Sequence, residues 1–224
     1  MTAMEGLKAQ LMKHSDGIRA TQMEAYLKNK FPFYGVMSTP RKAILKNWKE
    51  EFTKEISPAT KRDWVMQMWD ADPREYQLLA IDWMIHWPVR EIEINDIQLL
   101  ETLITEKSWW DSVDSLASHM VGKFAKKFPK EMDEVLKQWE NHDSFWIHRT
   151  CLIYQLKFKE TTDLERLKYY IGKFKSNKEF FIQKAIGWSL REVSKWNPHW
   201  VKQTVLEEGL KGLAYREAMK YVLV

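Results

Sequence analysis

Asp114 follows Trp110 by four residues in the stretch KSWWDSVDS at 107–115. On a helix that spacing sets a carboxylate and an indole on one face. A fixed carboxylate stabilises positive charge as it develops on a reacting centre, and it can orient or deprotonate a water. The electron-rich indole face attracts a cation. A second set lies further along. Lys184, Trp188 and Arg191 are spaced four and three residues apart, and Trp146 and Arg149 are three apart. Each set shares a helical face. Cations beside aromatic planes suit a nucleic-acid backbone, with phosphates on the cations and bases or sugars on the rings. A plainer reading stands beside each. Asp114 can simply pair with a neighbouring Lys or Arg, lysines solvate outer faces, and tryptophans fill cores. Asp111, three residues after Ser108, reads as the closing acid of a capping box, with Trp109 and Trp110 opening the helix and Trp109 turned to packing.

Other chemistries have little support. His14, His86, His119, His142, His148 and His199 show no metal-ligand spacing and no HExxH. P-loop, GxGxxG and GxSxG motifs are absent. Cys151 is the one cysteine, which excludes an internal disulfide, and its apolar helical context predicts a packed thiol. The 224 residues, 45% hydrophobic and 29% charged, can bury a core unaided and read as soluble. No run approaches the length of a membrane helix, and the first residues lack the basic start and apolar block of a secretory signal. The expected compartment is the cytoplasm. The net charge of +4 is mild, but residues 145–195 carry 11 Lys and Arg against 5 Asp and Glu, so the positive charge is concentrated there.

The elements that must hold these side chains are helices. Tyr76, Leu79, Ala80, Trp83 and Met84 follow the helical spacing, as do Ile182, Ala185, Ile186 and Leu190. The only strand-like alternation, EIEINDI at 91–97, is short and is expected to be a loop leading into a helix. Asp72, Ser108 and Ser176 each precede an acid three residues on, and Thr39-Pro40 and Ser57-Pro58 put proline at a first helical position. Such markers recur at spacings of 36, 35 and 33 residues from Asp72 through Ser108 and Asp143 to Ser176. FWIHRTCLIYQL at 145–156 overlays FFIQKAIGWSLR at 180–191. This pattern predicts an all-α fold of about a dozen helices, an α-solenoid of HEAT-like or armadillo-like repeats whose concave face is basic, in one domain over 1–224.

At this point the sequence resembles the AlkD-like family of DNA alkylation-repair glycosylases. The likeness runs nearly end to end. It rests on YLKNKFPFYGV, STPRK, MWDADPREYQ, KSWWDSVDS, FWIHRTCLIYQLKFK and SNKEFFIQKAIGWSLRE. It implies HEAT-like repeats around duplex DNA and excision of cationic N3- and N7-alkylated purines, without metal or cofactor and without turning the base into a tight pocket. By resemblance the catalytic aspartate falls on Asp114, and the active-site tryptophans fall on Trp110 and Trp188. DNA contacts fall on Arg149, Lys157, Arg191, Tyr26 and Thr39. The implied partner is double-stranded DNA bearing alkylated purines, with no membrane and no obligate protein partner, for a monomer close to the nucleoid. One departure is visible. The family's GIQTP loop reads GVMSTP here, one residue longer, with Met37 and Ser38 in place of the polar Gln. Two other readings stay open: a non-catalytic binder of damaged or branched DNA, and a protein-binding scaffold.

Overall fold

The computed structural model describes residues 2–222, which contain helices and no strand. The chain divides into two compact units, Met1–Glu91 and Ile92–Val224.

The first unit holds α1 (Ala3–Lys13), α2 (Gly17–Tyr26), α3 (Ser38–Phe52), α4 (Pro58–Asp70) and α5 (Arg74–Met84). Its core explains much of the tryptophan excess. Trp48 meets Trp64 and Trp83 with ring centroids 5.3 and 5.2 Å apart, Trp83 meets Trp87 at 5.9 Å, and the Trp48 indole donates to the Ala3 carbonyl at 2.8 Å. Edge-on packing of large rings buries much apolar area with favourable quadrupole contacts. Glu75 was expected to serve a helix start; it serves a loop instead. Its buried carboxylate accepts the backbone N–H groups of Tyr34, Gly35 and Val36 at 2.9–3.1 Å. Gly35 sits at φ +86°, and a Cβ there would lie 2.1 Å from the Asp16 carbonyl oxygen, so glycine is required. The GVMSTP segment is thereby pinned at its first residues. Met37 then flanks α3 as its N-cap, and Ser38 opens the helix, which puts Pro40 two residues later than the sequence suggested. Ser57 and Pro58 behave as expected, the Ser57 hydroxyl accepting the Thr60 N–H.

The second unit carries α6 (Asp96–Thr105), α7 (Trp110–Ser115), a π-helical turn (Leu116–Val121), α8 (Gly122–Lys127), α9 (Pro129–Trp139) and α10 (Phe145–Ile153). Then follow α11 (Leu164–Phe174), α12 (Phe180–Ser194), α13 (Pro198–Glu207) and α14 (Gly212–Ala218). The EIEINDI stretch is the loop into α6, its Asp96 carboxylate accepting the Glu93 N–H at 2.7 Å. The helices pack in series: α7 and the π turn against α10, α10 against α12, and α12 against α14. α9 and α11 lie on α10, and α13 lies on α12 and α14. Val113, Leu116, Ile147, Leu152, Ile182, Ala185, Ile186 and Leu190 are buried between these layers. Each helix hides its apolar stripe only with its neighbours' help, as stacked repeats must. The 35-residue overlay is real: α10 and α12 begin at Phe145 and Phe180, the paired positions.

Candidate active site

One opening in the second unit collects the residues singled out above. A cavity of about 340 Å³ is lined by Trp110, Asp114, Arg149, Phe180, Phe181, Lys184, Trp188, Arg191 and Glu217. The stack of helices dictates who meets whom. Trp110, Phe145 and Phe180 each open their helix, 35 residues apart, and Asp114, Arg149 and Lys184 stand at one further shared register. Adjacent helices therefore bring carboxylate, guanidinium and ammonium into one row.

Asp114 is the acid of the cavity. Its side chain is 19% exposed, and Arg149, whose side chain is 4% exposed, grips it with both arms of a fork: Nε to Oδ1 at 2.7 Å and Nη2 to Oδ2 at 2.9 Å. The third nitrogen of that guanidinium, Nη1, donates to the Phe181 carbonyl. This bidentate geometry fixes the carboxylate plane as a single hydrogen bond would not. Burial pushes the Asp114 carboxyl above the ordinary aspartate value, the Arg149 cation pulls against that rise, and Asp111 adds to it. The plainer reading of Asp114 as half of an ion pair is thus correct as geometry, and it places the ion pair inside an aromatic-walled cavity.

The helix that carries Asp114 starts differently from expectation. Trp109 is the N-cap and Trp110 the first helical residue, with no side-chain cap. The Ser108 hydroxyl donates backwards to the Ile104 carbonyl at 2.7 Å. The proposed Ser108–Asp111 capping box is therefore absent, because Lys107, at φ +48°, turns the chain so that Ser108 closes α6 instead of opening α7. Trp109 does pack, its ring 5.9 Å from Trp146 and 5.3 Å from Phe181. Directly after Asp114 the backbone loosens into the π turn, where the Gly122 N–H reaches the Ala117 carbonyl and the Ser118 hydroxyl donates to the Asp114 carbonyl at 2.7 Å. Such turns recur near functional groups, since they leave carbonyls to be satisfied by side chains.

The opposite wall is α12. Lys184, Trp188 and Arg191 share its cavity face, as their spacing predicted. Phe180, 54% exposed, stands at the rim against Phe181. Glu217 of α14 was not foreseen. It accepts from Lys184 Nζ at 2.7 Å and from Arg191 Nη1. Gly187 lets it come so near: a Cβ there would lie 2.4 Å from the Glu217 Cβ and 2.9 Å from the Ala214 carbonyl. The Lys184 hydrogen bond lowers the Glu217 pKa most, burial opposes it, and Arg191 and Lys220 lower it further.

The remaining candidates are distributed. Lys157 is exposed and borders a separate cavity of about 560 Å³ with Lys159, Lys195 and Trp196, where Glu192 pairs with Lys195. That larger space has no buried carboxylate facing aromatic walls. Tyr26, 69% exposed, and Thr39, also exposed, belong to the first unit. Of the basic run, Lys173 and Lys175 pair with Glu140 and Glu208 at 2.8 and 2.9 Å and do not enter the cavity. Trp146 is buried rather than facing a partner. Cys151 is buried and its thiol is pushed far up by burial, as a packed residue. Among the described residues no group of three His, Cys, Asp or Glu is arranged to hold a metal ion, and no helix is long and apolar enough to cross a membrane.

An all-helical stack whose cavity gathers an arginine-clamped carboxylate, two indoles and further cations defines a class of helical-repeat protein. The comparisons narrow the class. A model of the DNA alkylation repair enzyme family matches residues 7–222, and the chain belongs to that family. Among solved structures it resembles a predicted DNA alkylation repair enzyme from Enterococcus faecalis, at 33% identity and a TM-score of 0.84, covering 93% of this chain and 96% of that one. No curated protein matches it.

Proposed function

We propose that this protein is a monofunctional DNA glycosylase of base excision repair, hydrolysing the N-glycosidic bond of cationic N3- and N7-alkylated purines in duplex DNA. The observation that carries the reading is the Asp114 carboxylate, clamped by Arg149 in a cavity walled by Trp110 and Trp188. A purine alkylated at N3 or N7 already bears positive charge and leaves readily. The demand on the protein is therefore to stabilise the oxocarbenium-like sugar and to direct water to it. Asp114 does both: its charge faces the sugar, and its oxygen orients or deprotonates the water. The indole faces of Trp110 and Trp188 hold the cationic nucleotide, at about 0.5–2 kcal/mol per ring. Arg149 keeps the carboxylate aimed, while Arg191, Lys184 and the exposed Lys157 meet phosphates. On this reading the damaged base stays stacked in the duplex, and bulky adducts are admitted. Lys184, the lysine that lines the cavity, is paired with Glu217, so no lyase step is expected, and a borohydride-trapped covalent adduct would overturn that part. The protein acts as a cytoplasmic monomer needing no cofactor.

The deciding experiment is release of 7-methylguanine from methylated duplex DNA by the wild type and by Asp114→Asn. Loss of one preorganised electrostatic group of this kind costs about 3–4 kcal/mol, a fall of roughly 10²–10³ in rate. Duplex binding without base release by the wild type would leave instead a non-catalytic binder of damaged DNA.

A further inference from the structure

Three cations and two carboxylates line the cavity, and none of the cations faces it alone. Arg149 is taken by Asp114, and Lys184 and Arg191 are both taken by Glu217. Glu217 reaches them from α14, a different helix, across the gap that Gly187 leaves open. Its side chain is 19% exposed and those of Lys184 and Arg191 are 39% and 22% exposed. All three side chains are therefore partly open to solvent in the lining of the cavity, where an incoming anion could reach them. A carboxylate between an ammonium and a guanidinium occupies the position, charge and hydrogen-bonding capacity that a phosphodiester oxygen would take.

We propose that Glu217 is an internal counterion that competes with the DNA backbone for Lys184 and Arg191. It holds these two cations in place while the cavity is empty, and a phosphate must displace it to use them. The proposal deepens the glycosylase reading and rests on its claim that this cavity meets a DNA strand. The consequence is selectivity. Every duplex, damaged or not, pays the same displacement, so undamaged backbone is held weakly. A cationic base is attracted by the two carboxylates, Asp114 and Glu217, that the cavity retains.

The test is equilibrium binding of undamaged duplex, followed by fluorescence anisotropy over a range of salt, for the wild type, Glu217→Gln and Glu217→Asp, with thermal unfolding of each recorded alongside. Glu217→Gln keeps the shape and removes the charge. It is expected to bind undamaged duplex about 3–10-fold more tightly at low salt, and to steepen the log–log salt dependence by up to about 0.9 for each cation released to a phosphate. Glu217→Asp keeps the charge and is expected to retain the wild-type slope. If Glu217→Gln binds more weakly than the wild type, or shows the same affinity and slope, Glu217 only props the two side chains and the competition is overturned. If the wild type itself shows no salt-dependent duplex binding, the DNA reading of the cavity fails and the inference falls with it, a result plainly different from the first.

Discussion

Arg149→Met tests whether the guanidinium fork, and not bulk packing, holds the Asp114 carboxylate. The substitution keeps an apolar side chain of similar reach and removes two charge-assisted bonds, at 2.7 and 2.9 Å, and the donation to the Phe181 carbonyl. It leaves Asp114 nearly buried without its cation. Breaking a buried pair by removing one partner costs about 3–5 kcal/mol. Asp114 keeps a 19% exposed side chain, so partial hydration puts the loss near the lower end, about 3 kcal/mol. Denaturant unfolding should register that loss, and thermal unfolding a fall of roughly 6–12 °C. The double variant Arg149→Met/Asp114→Asn removes both charges, and it should be less destabilised than the sum of its singles by about 1–2 kcal/mol. The pH dependence has a definite sign. A carboxyl whose folded pKa is raised binds its proton more tightly when folded. Its contribution is present below the unfolded value and is lost as pH rises through the folded one. Removing Arg149 takes away the group that opposes the rise. The deficit of Arg149→Met should therefore shrink on acidification from neutral pH, and Asp114→Asn should abolish that trend. A loss within about 0.5 kcal/mol of wild type, or strict additivity in the double variant, would refute the clamp.

Other expectations follow from the same geometry. Trp188→Ala should lower 7-methylguanine release by roughly 10-fold, through loss of about 1–2 kcal/mol of cation–π contact, with duplex affinity little changed. Gly187→Ala should destabilise the second unit by about 1–3 kcal/mol despite its better helix propensity, since its Cβ would sit 2.4 Å from the Glu217 Cβ; chemical denaturation measures it. Glu75→Ala strands three N–H groups of residues 34–36; amide hydrogen exchange there should accelerate ahead of global unfolding. Cys151, buried with its thiol pKa far above the usual range, should resist thiol reagents until the protein is denatured.

The shared face of Trp110 and Asp114 was legible because helical spacing is a local rule. Trp110 and Asp114, four apart, and Lys184, Trp188 and Arg191 along α12 needed no partner to be placed on one face. The α10–α12 correspondence was legible for a similar reason, the two segments sharing side-chain types over their first five positions. What stayed hidden depends on contacts between segments distant in sequence. Glu217 lies 26 residues from Arg191, and nothing in its own neighbourhood marks it. A tight Gly187 opposite α14 was the available signal. Phe180 was within reach, since it overlays Trp110 at two repeats' distance. Arg149, given by resemblance as a DNA contact, gains in Asp114 a half-buried partner from α7. The Ser108 cap failed because a single left-handed residue, Lys107, decides which helix Ser108 serves, and propensity does not foretell it. Most tryptophans of the first unit, a sign of unusual composition, turned out to be core.

Asp114, Arg149 and Lys184 come from one register of three helices packed in series, α7, α10 and α12, and this makes the pitch of the stack the ruler of the chemistry. Packed helices lie about 8–10 Å apart, set by the side chains between them. The distance from acid to fork to ammonium is thus written in the volumes of residues such as Ile147, Ile182 and Ala185, which never touch a ligand. Lengthening a surface connection leaves that ruler unchanged. Trimming or enlarging one interlayer side chain rescales it, and the reach of the cavity with it.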